Sequence, residues 1–164
     1  MQVSLLVNNA GVMGEREGWQ TCLDINLQGV LLGCNEMFGR ATDPASEDMG
    51  LRQPQFTVVN IASILGLFTG HEPKGWAYNT SKCGVVVASR AMADVNKSVR
   101  VMCLCPSVTR TPILDGCSPG ELETMKKDVG GFMEAKQVST HLLSVALLVL
   151  YFYYASMLSS VMIL

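Results

Sequence analysis

The chain has 164 residues, of which 49% are hydrophobic and 16% are charged. This composition is sufficient for the core of one domain, and it excludes intrinsic disorder, which requires low hydrophobicity and high net charge. A net charge of −2 gives no basic excess with which to neutralise a phosphate backbone, so we expect no nucleic-acid binding.

Three short apolar runs rich in branched residues predict buried parallel strands, at Val3–Val7, Phe56–Ile61 and Val99–Cys105. Between them, apolar residues recur at three- and four-residue steps from Trp19 to Arg40 and from Tyr78 to Asn96, which predicts two helices. In the first helix this spacing selects the inward positions Trp19, Leu23, Leu27, Val30, Leu31 and Cys34. Because strands and helices alternate, the sequence predicts an α/β fold with a parallel sheet.

Two polar stretches lie outside these elements. Residues Ala41–Gln55 have no apolar period and contain two prolines, which predicts a surface loop. Residues Asp115–Lys136 open with glycine, serine and proline and then carry charges at helical spacing. We call residues 115–136 the covering segment, because a mobile excursion with one or two short helices is typical of an element that covers a site.

The six cysteines, at positions 22, 34, 83, 103, 105 and 117, show no Cys-x-x-Cys spacing, so we expect no metal site and reduced, buried thiols. Cys103 and Cys105 alternate along a predicted strand and should share one face. The first residues lack the basic region and the cleavage site of a secretory signal, which favours a cytoplasmic protein.

Small and polar residues follow each predicted strand. They are Asn8–Gly11 after the first strand, Ala62 and Ser63 after the second, and Pro106–Pro112 after the third. Each group alone is also explained as a turn that ends a strand. Because ligands of open parallel sheets bind beyond the carboxyl ends of the strands, we expect the three groups to meet at one site.

Tyr78 and Lys82 are four positions apart at the start of a predicted helix, which places their Cβ atoms about 5–6 Å apart. An ammonium beside a phenol favours the phenolate, so this spacing predicts a lowered pKa for Tyr78 and a role as general acid or base. Such a pair also occurs on ordinary amphipathic helices. The serine and the Asn-rich turn at neighbouring strand ends favour the catalytic interpretation.

With these motifs in order, the chain resembles the short-chain dehydrogenases/reductases from about Leu5 to Leu114, and within them most closely the 15-hydroxyprostaglandin dehydrogenase branch. The resemblance implies a Rossmann-type doubly wound parallel sheet. It also implies NAD or NADP as cofactor, with NAD favoured, and interconversion of a secondary alcohol and a ketone, with a hydrophobic hydroxy-lipid such as a 15-hydroxyprostaglandin as substrate. The matching motifs are Asn8–Gly11, Asp24–Asn26, Asn60–Ser63, Tyr78–Lys82 and Pro106–Thr111.

The resemblance further implies individual roles. Tyr78 would transfer the proton, Lys82 would lower its pKa and bind the nicotinamide ribose, and Ser63 would hold the substrate oxygen. Asn26 would order a water that links Lys82 to solvent, unless it is only a polar residue on a solvated helix face. The other residues implied to contact the cofactor are Asn9, Ala10, Gly11, Pro106, Thr109 and Thr111, although Thr111 is also explained as the residue before a proline turn.

The sequence departs from the family in one large respect. No Gly-x-x-x-Gly-x-Gly turn, with which family members seat the pyrophosphate, occurs in it. We therefore expect the chain to be the C-terminal portion of one such domain, without the first strands. Residues 137–164 would be its last helix and the start of its last strand, although the 23 residues of Leu142–Leu164 are also long enough for a membrane span.

The alternative function is that of an inactive fragment that binds a partner. Family members pair through the equivalents of the two predicted helices, so the resemblance implies a homodimer or homotetramer for a full-length form.

Overall fold

The structure is a computed structural model that describes residues 5–14, 18–41, 56–68, 75–95, 98–151 and 161–163. Its helices are α1 (Trp19–Leu23), α2 (Gly29–Ala41), α3 (Trp76–Ala93), α4 (Pro119–Val129) and α5 (Ala135–Tyr151). Its strands are β1 (Leu5–Asn8), β2 (Phe56–Ile61), β3 (Val99–Cys105), β4 (Thr109–Arg110), β5 (Met133–Glu134) and β6 (Val161–Ile163).

Strands β1, β2, β3 and β6 form one sheet in that order, and every neighbouring pair in it is parallel. This confirms the predicted α/β fold with a parallel sheet. The bounds of β2 and β3 are those that the apolar runs predict. Strand β1 is described from Leu5 onward, because Val3 and Ser4 lie outside the described residues. A separate parallel pair, β4 and β5, closes the base of the covering segment.

The core lies between the sheet and two helices. Helices α2 and α3 pack against β2 and β3 and against each other. Because side chains alternate across a strand, Cys103 and Cys105 share the face toward these helices, with their sulfurs 4.0 Å apart, as expected. Val59 and Leu104 belong to the opposite face and are also buried, so both faces of the sheet are covered in this region.

The first helical stretch departs from its predicted inward face. Val30 and Cys34 are buried as predicted, but Trp19 is 37% exposed and Cys22 is buried in place of Leu23. The cause is a π-helical turn over Asp24–Gln28, between α1 and α2. A π turn contains one residue more than an α-helical turn. The buried positions on its N-terminal side therefore fall one residue earlier in the sequence than a regular α-helix predicts.

The remaining predictions have mixed outcomes. Helix α3 begins two residues before Tyr78 and ends three residues before Asn96. Residues 42–55, nearly all of the predicted surface loop, lie outside the described residues. No disulfide joins the six cysteines, all of which lie within the described residues, but the expectation of burial is wrong for Cys83, which is exposed, and for Cys117, which is partly exposed.

Within the C-terminal stretch, α5 ends at Tyr151 and β6 pairs with β3. No helix in the described part of the chain is long and apolar enough to cross a membrane.

Candidate active site

The turns that follow β1, β2 and β3 meet at a cavity of about 720 Å³. Ala10 is exposed and is not among the lining residues, and Asn26 lies behind the cavity wall, fully buried. The predicted site residues that do line the cavity are Asn9, Gly11, Ser63, Tyr78, Lys82, Pro106, Thr109 and Thr111.

Ser63 is held where β2 turns into a short 3₁₀ helix, Ile64–Gly66. Its Oγ accepts a hydrogen bond from the backbone N–H of Leu65 at 3.2 Å, which caps that helix. The backbone N–H of Ile64 donates to the carbonyl of Pro106 at 2.9 Å. The carboxyl ends of β2 and β3 are thereby joined, and Ser63 is fixed between them.

Gly66 allows helix α3 to approach this turn. A Cβ built on Gly66 would lie 2.7 Å from both the carbonyl carbon and the carbonyl oxygen of Lys82, which are backbone atoms and cannot move aside cheaply. The close approach brings Tyr78 and Lys82 to Ser63. The sequence alone gives no sign of this role, because a glycine after a strand is also explained by the turn itself.

Lys82 is 3% exposed, and its Nζ donates to the carbonyl oxygen of Ile61 at 2.9 Å. The same Nζ lies 5.7 Å from the centre of the Tyr78 ring. Burial lowers the pKa of Lys82, and the thiols of Cys22, Cys103 and Cys105 oppose this effect. The lysine therefore faces the cavity with its nitrogen anchored to the end of β2.

The pKa of Tyr78 is raised above its ordinary value of 10. Burial is the main cause, a hydrogen bond with Ser63 lowers the pKa, and Cys22 raises it further. The predicted lowering by Lys82 is therefore wrong in direction, because desolvation of the buried phenolate is the largest influence on this pKa. The phenol consequently holds its proton at neutral pH and can donate it.

Asn26 is committed to hydrogen bonds inside the protein. Its Oδ1 accepts from the backbone N–H of Val12 at 2.8 Å, and its Nδ2 donates to the Val12 carbonyl at 2.9 Å and to the Ser81 Oγ at 3.1 Å. Asn26 is fully buried, so the alternative prediction that it is a polar residue on a solvated helix face is wrong. The pair of bonds to Val12 instead fixes the turn after β1 against the π turn, and the water-ordering role stays a prediction.

Gly11 lies between Lys82 and Asn26 at the cavity wall. A Cβ built on Gly11 would be 3.4 Å from Lys82 Nζ and 3.5 Å from Asn26 Oδ1, which are ordinary contact distances. A side chain there would therefore be tolerated by the protein and would occupy cavity space. This geometry fits a close approach of a ligand to the backbone at Gly11.

A separate buried polar network lies in the core and does not line the cavity. Asn8 Nδ2 donates to Asn60 Oδ1 at 2.8 Å, and Asn60 Nδ2 donates to Ser89 Oγ at 2.9 Å. These bonds join β1, β2 and α3 in the core, where an unpaired amide would be costly. This role of Asn60 is not evident from the sequence, because the partner amide and hydroxyl lie 52 and 29 positions away along the chain.

Much of the cavity wall is apolar. Met125 of the covering segment contributes to it, together with the 3₁₀ turn Pro112–Leu114 and helix α5. Among the described lining residues there is no Asp, Glu or Arg, and Lys82 is the one lysine. The spacing of the apolar wall residues along the chain does not distinguish them from core residues. They are Ile113, Leu114, Met125, Val138 and Leu142.

Comparisons with known proteins are consistent with this geometry. Residues 1–121 match the family described as short chain dehydrogenase. A chanoclavine-I dehydrogenase from Arthroderma otae is 30% identical over 131 residues, which are 75% of this chain and 47% of that protein. The 15-hydroxyprostaglandin dehydrogenase (NAD(+)) of Rattus norvegicus is 32% identical over 125 residues, 73% of this chain and 43% of that protein. The chain thus spans about half the length of these curated relatives.

Solved structures show the same fold. 4-Hydroxyisoleucine dehydrogenase complexed with NADH superposes with a TM-score of 0.71 at 18% identity, covering 98% of this chain and 66% of that one. A short-chain type dehydrogenase/reductase from Mycobacterium marinum gives a TM-score of 0.68 at 21% identity, covering 98% and 63%. At these identities the likeness concerns the fold alone, and it confirms the Rossmann-type α/β class.

Proposed function

Because the chain belongs to the short-chain dehydrogenase family, we propose that it interconverts a secondary alcohol and a ketone with NAD as the cofactor. The observation that carries this proposal is the meeting of Ser63, Tyr78 and Lys82 at one cavity, with the Lys82 nitrogen 5.7 Å from the centre of the phenol ring.

The residues at the sheet edge fit a dinucleotide cofactor. Gly11 leaves space at the wall beside Lys82, and the lining contains Asn9 together with the turn after β3. We propose that these residues hold the nicotinamide end, with Pro106, Thr109 and Thr111 on the β3 side. The bound cofactor would supply or accept the hydride, and the protein would supply position and electrostatics.

The chain's own residues account for the proton. In ketone reduction, Tyr78 would donate its proton to the carbonyl oxygen while the Ser63 hydroxyl donates a hydrogen bond to the same oxygen. A raised pKa keeps the phenol protonated for this step. The Lys82 ammonium would stabilise the phenolate that forms when the proton leaves, and Asn26 would order the water through which the proton is replaced.

The apolar wall supports a hydrophobic substrate. A hydroxy-lipid would place its chain against Met125, Val138 and Leu142 and its oxygen toward Tyr78 and Ser63. A 15-hydroxyprostaglandin, the compound in the name of one relative, has this character. We further propose that the covering segment moves to admit the substrate, because α4 has no buried residue that would hold it in place.

Titration of the 164-residue chain with NADH tests the proposal. We expect saturable enhancement of NADH fluorescence by the wild type and weaker binding by Gly11→Ala, whose added methyl group enters the cavity without a clash. Thermal unfolding should be unchanged in G11A. A folded wild-type sample that gives no enhancement would contradict the assignment.

A second candidate function is association with another copy of this chain. Three large apolar side chains are exposed on α2 and α3, namely Leu32 at 63%, Val87 at 59% and Trp76 at 52%. Trp76 also stacks at a tilt on Trp19, with ring centres 6.0 Å apart. We propose that this face pairs with itself in a homodimer, since apolar patches of this kind mark interfaces.

Sedimentation analysis tests the second candidate. We expect a concentration-dependent dimer for the wild type and a monomer for Val87→Asp, which places a charge on the exposed face. A wild type that stays monomeric at every concentration would rule out self-association through this face.

A further inference from the structure

Ser81 links the backbone of Tyr78 to Asn26. Asn26 lies in the π turn and binds the loop after β1. Ser81 is fully buried, and its Oγ donates to the carbonyl oxygen of Tyr78 at 2.7 Å. The same Oγ accepts a hydrogen bond from Asn26 Nδ2 at 3.1 Å. Asn26 in turn holds Val12 through two hydrogen bonds.

The two hydrogen bonds of Ser81 require a side chain that both donates and accepts, as a hydroxyl does. The single proton of Ser81 is directed to a carbonyl, which can only accept, and the oxygen lone pairs face an amide N–H, which can only donate. An alanine at this position would lose both bonds. Asn26 would keep its bonds to Val12, so the loss is confined to the link with helix α3.

We propose that Ser81 is a positioning residue for Tyr78: by tying the Tyr78 carbonyl to the Asn26 amide, it holds the first turn of α3 so that the phenol meets Ser63. The inference rests on the proposed function for its catalytic meaning. Its structural content, the placement of the phenol, is independent of whether a cofactor binds.

Helix α3 contains a matched control. Ser89 is also buried, donates to a backbone carbonyl one turn earlier, that of Val85, at 2.7 Å, and accepts from the amide of Asn60 at 2.9 Å. Ser81 and Ser89 therefore make the same two kinds of hydrogen bond on the same helix. Ser89 lies about two turns farther along the helix, in the core.

The test is a pH titration of the whole chain labelled with ¹³C at the tyrosine ζ position and followed by NMR. The groups that face the Tyr78 phenol are the Ser63 hydroxyl, the Cys22 thiol on α1 and Lys82 on its own helix. The chain has four tyrosines, and the Tyr78 resonance is the one that is missing from the spectrum of the Tyr78→Phe variant. In the wild type this resonance should titrate above the ordinary phenol value of about 10.

In Ser81→Ala we expect the Tyr78 resonance to titrate closer to the ordinary value, because a misplaced phenol is less buried. Ser81→Thr, which keeps the hydroxyl, should restore the wild-type titration, and Ser89→Ala should leave it unchanged. If S81A does not fold, Ser81→Cys replaces it under the same criteria. A wild-type titration in S81A, or an equal shift in S89A, would overturn the proposal.

The kinetic counterpart separates this inference from the proposed function. If the wild type turns over a ketone, S81A should lower kcat roughly tenfold to a hundredfold with an unchanged KM, as expected for a misplaced proton donor. An unchanged kcat in S81A would also overturn the inference. If the wild type neither binds NADH nor turns over, the proposed function fails, and the titration alone decides the role of Ser81.

Discussion

The two walls of the cavity are built differently. On the sheet side, Asn26, Asn60 and Lys82 are almost completely buried, and each is hydrogen-bonded to another strand or helix. On the opposite side, α4 of the covering segment has no buried residue. Its capping box, formed by Ser118 and Glu121, is local and solvent-exposed.

This difference indicates that one part of the cavity keeps a fixed geometry and the other part controls access. The groups that we propose transfer the proton lie where Asn26, Asn60 and Lys82 each make a hydrogen bond to a residue at least 21 positions away along the chain, so the global fold fixes the geometry there. The apolar wall comes in part from the covering segment, which we propose opens at low free energy because α4 has no buried residue. Substitutions on the sheet side should therefore change chemistry or global stability, whereas those in the covering segment should act locally.

The largest effect on the sheet side should come from Tyr78→Phe. Removing the proton donor should lower turnover of a ketone by roughly 10²–10⁴-fold, the range of general acid–base catalysis. The control is Thr80→Ala, an exposed position on the same helix that does not line the cavity. Steady-state rates measure both, and a Y78F rate near that of T80A would remove Tyr78 from its role.

Gly66→Ala should destabilise the protein by roughly 1–3 kcal/mol, because the new Cβ would overlap the backbone of Lys82. Urea unfolding measures the loss. Gly39→Ala is the matched control, since a Cβ on this exposed residue of α2 meets nothing within 4 Å. It should stabilise the helix by about 0.5–1 kcal/mol. Equal values for the two variants would argue against the close approach of α3.

Lys82→Met should abolish activity and yet stabilise the fold by about 1 kcal/mol at neutral pH, because it removes a buried charge. The lowered pKa of Lys82 means that the folded state binds the proton less well than the unfolded state. Wild-type stability should therefore rise with pH from the folded-state pKa up to about 10.5, and the advantage of K82M should shrink over that range. A constant difference at all pH values would show that Lys82 is not desolvated.

Ser118→Ala should have the smallest global effect. Loss of the N-cap costs about 1 kcal/mol of local helix stability. Because α4 has no buried residue, we expect faster amide exchange within residues 119–129 and an unchanged midpoint of global unfolding. A drop in the global midpoint would mean that the covering segment unfolds together with the sheet.

The sequence predicts the central strands well and the inward helix face less well. Strands β2 and β3 are short and mostly apolar runs, and local pattern alone marks them. The burial of Cys22 and Asn26 depends on a π turn and on the backbone of Val12, so periodicity in the helix cannot indicate it.

The same distinction applies to the site. The positions of Ser63, Tyr78 and Lys82 follow from the strand ends and the helical spacing, and all three line the cavity. The direction of the Tyr78 pKa does not follow, because desolvation depends on how closely α3 packs against the turn at Gly66. That packing is a tertiary property.

Transfer of deuterium to an apolar methyl ketone, from NADH that carries deuterium in both positions at nicotinamide C4, tests the central claim most directly. Mass spectrometry of the product should show deuterium at the carbinol carbon with the wild type and no product above background with Y78F. Folded wild-type protein that yields no deuterated alcohol, or Y78F that yields as much of it as the wild type, would contradict the assignment of proton transfer to this tyrosine.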